Sequence, residues 1–252
     1  MLGLIPDRQR DVDADARLRH VGILLGAQRI AGPIHIDRRD LLDGVQDQGG
    51  SNSCVGQALA SSIYLTAASS GQTIERPSAK GIYDLARLVD SPNVLDDVGS
   101  RPRAAIIGMQ DYGMVANSRW PLTALNVNDK PPLDVFQHAY PARLSAYYRI
   151  VGASSALLVR TALARGFFPV FGMPVDEAYQ AHDGRTTFTG LRGPMVGYHM
   201  QCVIGCGTDD LLVLNSWGRG WGDGGFIRIA DAAFDTLAFD VLVPTVAPAA
   251  VS

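Results

Sequence analysis

The chain has 252 residues, 47% of them hydrophobic and 19% charged, which fits a globular protein with a real core and excludes a disordered one. Its 22 basic and 25 acidic side chains leave a formal charge of −3, so there is no broad basic field for a nucleic-acid backbone. Three cysteines are too few, and odd in number, for a disulfide framework.

The N-terminus carries Asp7, Asp11, Asp13 and Asp15 against Arg8, Arg10, Arg17 and Arg19, whereas a secretory signal begins net positive. The apolar stretch that follows, 21–27, is far short of the roughly 20 residues of a spanning helix. Residues 1–33 therefore read as a solvated leader closed by Gly32-Pro33, with neither signal peptide nor membrane insertion expected. The first strong element opens at Cys54. Val55, Leu59, Ile63 and Ala67 recur at four-residue steps on one helical face, and Ser51, Asn52 and Ser53 are suitable caps before it. Further helices are expected at 78–89, 102–112 (stopped by Gly113) and 154–165 (ended by Gly166), with a Pro- and Asn-rich linker at 121–132. The period then changes to two, and 167–171, 199–205, 211–215, 226–229 and 237–243 read as strands. Helices first and strands second point to an α+β fold with two unlike lobes.

Gly220-Trp-Gly-Asp-Gly-Gly225 formally fits a dinucleotide fingerprint, but it runs into the alternating Phe-Ile-Arg-Ile instead of opening a helix, so it reads as a turn. Cys202 and Cys206 sit four apart on one strand, about 13 Å from each other. A disulfide needs Cα atoms within about 7 Å, so this pair reads as buried apolar packing, compatible with a reducing compartment. Cys54 stands at a helix start, where free N–H groups and the macrodipole favour a thiolate. Placement alone leaves a structural and a nucleophilic cysteine equally open. A nucleophile needs a base and an orienter. Of His20, His35, His138, His182 and His199, only His199 begins an apolar strand, and Asn215 ends the next one, where its amide could fix the imidazole tautomer.

Gln48-Gly-Gly-Ser-Asn-Ser-Cys54 resembles the nucleophile motif of papain-like cysteine peptidases. His199-Met-Gln-Cys-Val-Ile-Gly-Cys-Gly207 resembles the family's histidine strand, and Leu214-Asn-Ser-Trp-Gly-Arg-Gly-Trp-Gly-Asp-Gly-Gly-Phe-Ile-Arg-Ile229 is similar to its Asn-Ser-Trp-Gly block. The order Cys, His, Asn holds, with the histidine in the roughly 130–150-residue window downstream of the cysteine. The segment from Asp97-Val-Gly-Ser100 through Trp120-Pro121 resembles the cleft wall of bacterial members. The resemblance implies a helical lobe (34–135) and an antiparallel, β-barrel-like lobe (136–252) with the active-site cleft between them. It implies Cys54 as nucleophile, His199 as base and then acid, Asn215 as orienter and Gln48 as oxyanion donor. Gly99, Ser100, Tyr198 and Trp217 would border the substrate; for Trp217 and Trp221 simple core packing stays open.

The implied activity is cysteine endopeptidase, with acyl transfer or deamidation on the same triad as one alternative and a structural or binding scaffold as another. A polypeptide substrate is the implied partner, without nucleic acid, and neither metal nor cofactor is implied. A cytoplasmic or virion- or effector-associated location is favoured. Val55 replaces the family's usual aromatic, and Ser51 replaces a cysteine that elsewhere forms a disulfide, which points to a bacterial or viral type. Only 53 residues precede Cys54, too few for a long helical prosegment, so residues 1–33 are expected to lie along or near the cleft and slow access.

Overall fold

The computed structural model describes residues 2–8, 18–25, 34–90, 96–137, 139, 143–152 and 155–246. In chain order these form β1 (Leu18–His20), α1 (Val21–Leu25), β2 (Ile36–Asp37), α2 (Cys54–Ser69), α3 (Ala79–Asp90), α4 (Pro102–Tyr112) and α5 (Leu133–Gln137). There follow β3 (Leu144–Ile150), α6 (Ser155–Ala164), β4 (Val170–Asp176), α7 (Glu177–Gln180), β5 (Met195–Cys206), β6 (Asp210–Leu214), β7 (Phe226–Ala230), α8 (Asp231–Leu237) and β8 (Phe239–Val246).

Helix α2 is buried on almost every side, with Val55, Leu59 and Ile63 fully enclosed, so it acts as the central post of the molecule. Gly56 is what lets α3 approach it: a Cβ there would collide with the Ala79 carbonyl. The serines expected to cap α2 do something else. Ser53 occupies the N-cap position without a side-chain cap bond, because its hydroxyl meets the Ser51 hydroxyl at 2.8 Å. Ser51 in turn donates to the Gln48 carbonyl at 2.7 Å, and the Asn52 amide reaches the Asp97 carbonyl at 2.6 Å. The capping residues thus brace the loop before the helix and leave its first amides uncapped.

Opposite α2 the strands run in the order β1-β3-β8-β4-β5-β6-β7, with β2 pairing β5. The sheet is open, where a barrel-like lobe was expected. The outer edge of β7 is taken by Phe188, whose N–H donates to Arg228 O at 2.8 Å and whose carbonyl accepts Ala230 N–H at 2.9 Å, so that edge is closed by a loop and not by β1. Three strand assignments shift. The segment 167–171 becomes a longer β4 beginning at Val170, after Pro169. The 237–243 stretch splits, because Leu237 ends helix α8 and the strand begins at Phe239. Strand β5 starts at Met195, so His199 lies within the strand and not at its start, because β4 pairs with it down to Asp176 opposite Met195.

The N-terminal residues are not all solvated either. Leu4, Val21 and Leu25 are buried, α1 and β1 packing beside β3; residues 9–17 and 26–33 of the expected leader lie outside the described residues. Cys202 and Cys206 are buried free thiols, and 220–225 is a glycine turn leading into β7. No helix among the described residues is long and apolar enough to cross a membrane.

Candidate active site

Cys54 is the first residue of α2, and its thiol faces the strand that carries the histidine, where the backbone N–H of Met200, next to His199, favours the thiolate. His199 sits on β5 and Asn215 directly after β6; β5 and β6 pair Cys202 with Leu214, which brings the two side chains side by side. His199 Nε2 lies 2.7 Å from Asn215 Oδ1, and the Ser216 N–H donates to the same oxygen at 2.8 Å, fixing the amide's orientation. With Nε2 committed, the other imidazole nitrogen, Nδ1, is buried and has no hydrogen-bond partner among the described residues. Trp217 stacks on the imidazole, with ring centroids 4.5 Å apart at 29°, and Trp221 meets Trp217 edge-on at 5.1 Å. This lid keeps water from the His199–Asn215 bond and strengthens it.

The 214–218 block is zipped onto the loop before α2. Gln48 N–H donates to Ser216 O at 2.8 Å, Gly218 N–H donates to Gln46 O at 3.1 Å, and Asp47 bridges Trp217. The Ser216 hydroxyl donates to Gln48 Oε1 at 2.6 Å, and Gln48 Nε2 donates to Ser51 O at 2.7 Å, so the Gln48 amide is held from both ends beside Cys54. Ser216, in the middle of the Asn-Ser-Trp-Gly block, is a positioning group that the residue-by-residue reading passed over.

The N-terminal segment crosses this site. Gly3 O accepts the Ser100 N–H at 2.8 Å and Ile5 N–H donates to Ser100 O at 3.0 Å, so Leu4 lies opposite Ser100 as a parallel bridge. Gly3 fits only because it lacks a side chain: a Cβ would run into the Asn52 carbonyl. Its backbone N–H also favours the thiolate form of Cys54. Leu4 meets Phe239 over Gly172, and Leu2 rests on Gly197. Farther along, Asp7 N–H donates to Asp240 Oδ2 at 3.0 Å while an Asp7 oxygen accepts the Arg103 N–H at 3.2 Å. Of the four expected substrate-bordering residues, Ser100 binds this segment through its backbone and Gly99 lies against Gly3. Tyr198 packs its ring edge on Phe239 at 5.3 Å, and Trp217 covers His199 while lining a cavity of about 430 Å³ with Asp47, Gln180 and Trp221.

Under this cover Cys54 and His199 are fully buried. Burial pushes the Cys54 thiol up to about 11, only partly offset by the backbone N–H groups of Met200, Gly3, Val55 and Cys54 itself. Burial also pulls His199 down to about 4, against the Asn215 bond. Desolvation outweighs the ionising effect of the helix start here and favours the neutral form of both groups.

A buried thiol at a helix start, a histidine held by an asparagine and a tryptophan lid on an α+β scaffold define the papain-like fold, and the comparisons agree. Xylellain, a cysteine protease from Xylella fastidiosa, superposes with a TM-score of 0.81 at 22% identity, covering 98% of this chain and 96% of that one. Bromelain from Ananas comosus, in complex with the E64 inhibitor, matches with a TM-score of 0.68 at 20% identity over 85% of this chain and 99% of that one. In sequence, an uncharacterised peptidase C1-like protein of Acanthamoeba polyphaga mimivirus is 27% identical over 198 residues, 73% of this chain. Ananain of Ananas comosus is 37% identical over 93 residues, 31% of this chain. The chain spans 63% and 27% of the length of these two curated relatives. No family model matches. The relatives and structural neighbours are papain-like cysteine peptidases, of a set that includes bacterial and viral proteins.

Proposed function

We propose that the chain is a cysteine endopeptidase held latent by its own N-terminal segment, with the cleft running between the helix-rich 34–135 and strand-rich 136–252 portions. The observation that carries this is the 2.7 Å His199 Nε2–Asn215 Oδ1 contact on the strand that Cys54 faces, because it leaves Nδ1 to take the thiol proton. When residues 2–8 leave, water returns and the ion pair forms: Cys54 gives its proton to His199 Nδ1, and Asn215 holds the imidazolium through Nε2–H. The thiolate attacks the substrate carbonyl carbon, and the carbonyl electron pair moves to oxygen, received by the Cys54 N–H and the Gln48 amide. His199 passes its proton to the departing amine as the C–N bond breaks. A water then gives a proton to His199 and its oxygen to the acyl carbon; the C–S bond breaks, the acid leaves, and His199 returns the proton to the sulfur.

The reading is tested with E-64 and a peptide amide substrate on the full chain, beside Leu4→Asp and Cys54→Ala. A single adduct on Cys54, formed faster in Leu4→Asp, and turnover abolished in Cys54→Ala are expected. An adduct without peptide cleavage in any of these proteins sinks the hydrolytic reading.

A further inference from the structure

The substrate strip and the loop that carries the oxyanion donors belong to distant parts of the sequence, yet one carboxylate ties them together. Asp97 Oδ1 accepts the Asn52 N–H at 2.9 Å, and its second oxygen accepts the same N–H at 3.1 Å. The Asp97 carbonyl accepts the Asn52 side-chain amide at 2.6 Å. From the other side the Tyr83 hydroxyl donates to Asp97 Oδ1 at 2.8 Å, and that hydroxyl accepts the Gly99 N–H at 2.9 Å. Asn52 stands two residues before Cys54, and Gly99 one residue before Ser100, so this closed ring of hydrogen bonds spans the mouth of the site.

The ring is anchored on a rigid helix. Tyr83 is fully buried on α3, and burial first, then the Asp97 carboxylate, keep its hydroxyl protonated and so a standing donor. The Arg87 guanidinium lies 4.1 Å from the Tyr83 ring centroid and donates to Asp96 O at 3.0 Å. Arg87 is itself fixed by Asp84 at 2.7 Å. A carboxylate accepting a backbone amide, with its own backbone paired to the same residue, has little freedom to shift.

We propose that Asp97, oriented by Tyr83, is a positioning residue that holds the Asn52–Cys54 loop in register with the Gly99–Ser100 strip, so that a backbone bound at Ser100 delivers its carbonyl to the thiol. Its role in catalysis rests on the peptidase reading above. Its mechanical consequence does not, because Ser100 grips the N-terminal segment as well as any substrate. Loss of the clamp loosens that segment and misaligns a substrate at the same time.

The full chain is compared with Asp97→Ala, Asp97→Asn and Tyr83→Phe. Two rates are measured at one pH: iodoacetamide alkylation of Cys54, and kcat/KM for a peptide amide. Opening of the N-terminal segment precedes both reactions, so it cancels in their ratio. In Asp97→Ala, alkylation of Cys54 is expected to rise about tenfold while turnover relative to alkylation falls about 30-fold, the scale of one lost charge-assisted hydrogen bond. Tyr83→Phe should move both in the same direction but less. Asp97→Asn keeps an Oδ1 that accepts from both Asn52 and Tyr83, and should recover most of both. Alkylation of Cys202, a thiol buried within β5, should stay as slow as in the wild type, whereas general unfolding would expose it. Unchanged Cys54 alkylation in Asp97→Ala, or Cys54 and Cys202 rising together, overturns the clamp. If Cys54 alkylation rises with no peptide hydrolysed by any variant, the clamp stands and the peptidase reading fails; the converse pattern removes the clamp alone.

Discussion

Replacing Asp7 with asparagine tests how the N-terminal segment is held. When the segment is docked, burial and then the facing Asp240 carboxylate raise Asp7 from its ordinary 3.8 to about 7, with Asp90 adding to the effect. The Arg103 backbone N–H and guanidinium oppose it. Around this pair, Arg149 lies 3.6 Å from Asp240 and Arg101 lies 3.3 Å from Asp90, so neither cation sits on Asp7 itself. Burial raises Asp240 as well, while the Asp7 backbone N–H and Arg149 oppose it.

The sign follows from which state holds the proton more tightly. The docked segment does, so docking is strongest below pH 3.8 and weakens as the pH rises through about 7. At about 1.4 kcal/mol per pH unit the full difference is ~4 kcal/mol, and residual water contact at Asp7 roughly halves it to ~2 kcal/mol. That is about 30-fold in the fraction of chains with an open cleft. The amide introduced by Asp7→Asn is permanently neutral and can still accept the Arg103 N–H. Iodoacetamide alkylation of Cys54, read by mass spectrometry, should therefore be about 30-fold faster in the wild type than in Asp7→Asn at pH 8, and within about threefold at pH 4. Taking the ratio removes the pH dependence of the thiol itself. A ratio that is flat across pH 4–8, or a faster Asp7→Asn, would refute the argument.

Gln48→Ala removes one oxyanion donor, and kcat should fall by ~10²–10³ with little change in alkylation of Cys54, measured by steady-state turnover beside iodoacetamide kinetics. Gly56→Ala places a methyl against the Ala79 carbonyl where α2 and α3 touch, and chemical denaturation should show a loss of about 1–3 kcal/mol.

That Cys54, His199, Asn215 and Gln48 would be candidates for one site was legible because each lies in a short local pattern: a cysteine opening a periodic helix, a histidine in an apolar strand, an asparagine before Ser-Trp-Gly. What was not legible depends on partners distant in sequence. The parallel pairing of Leu4 with Ser100 buries a thiol whose local setting argues for easy ionisation, and burial outweighs the helix end. Asp97 reads as an ordinary loop carboxylate until Tyr83, 14 residues away, and Asn52, 45 residues away, close on it. The junction of α8 with β8 was hidden because Leu237-Ala-Phe-Asp-Val-Leu-Val243 is a nearly continuous apolar run, and periodicity cannot say where in it a helix stops and a strand starts.

The bare end of α2 carries a consequence for anyone engineering this molecule. An acidic cap at Ser53 is an obvious way to gain about 1 kcal/mol of helix stability. It would spend the amides that face the sulfur on a fixed negative charge, set against the thiolate those amides can welcome. Thermostability and reactivity compete for the same few N–H groups, and the serine that turns away to its neighbour leaves them to the thiol.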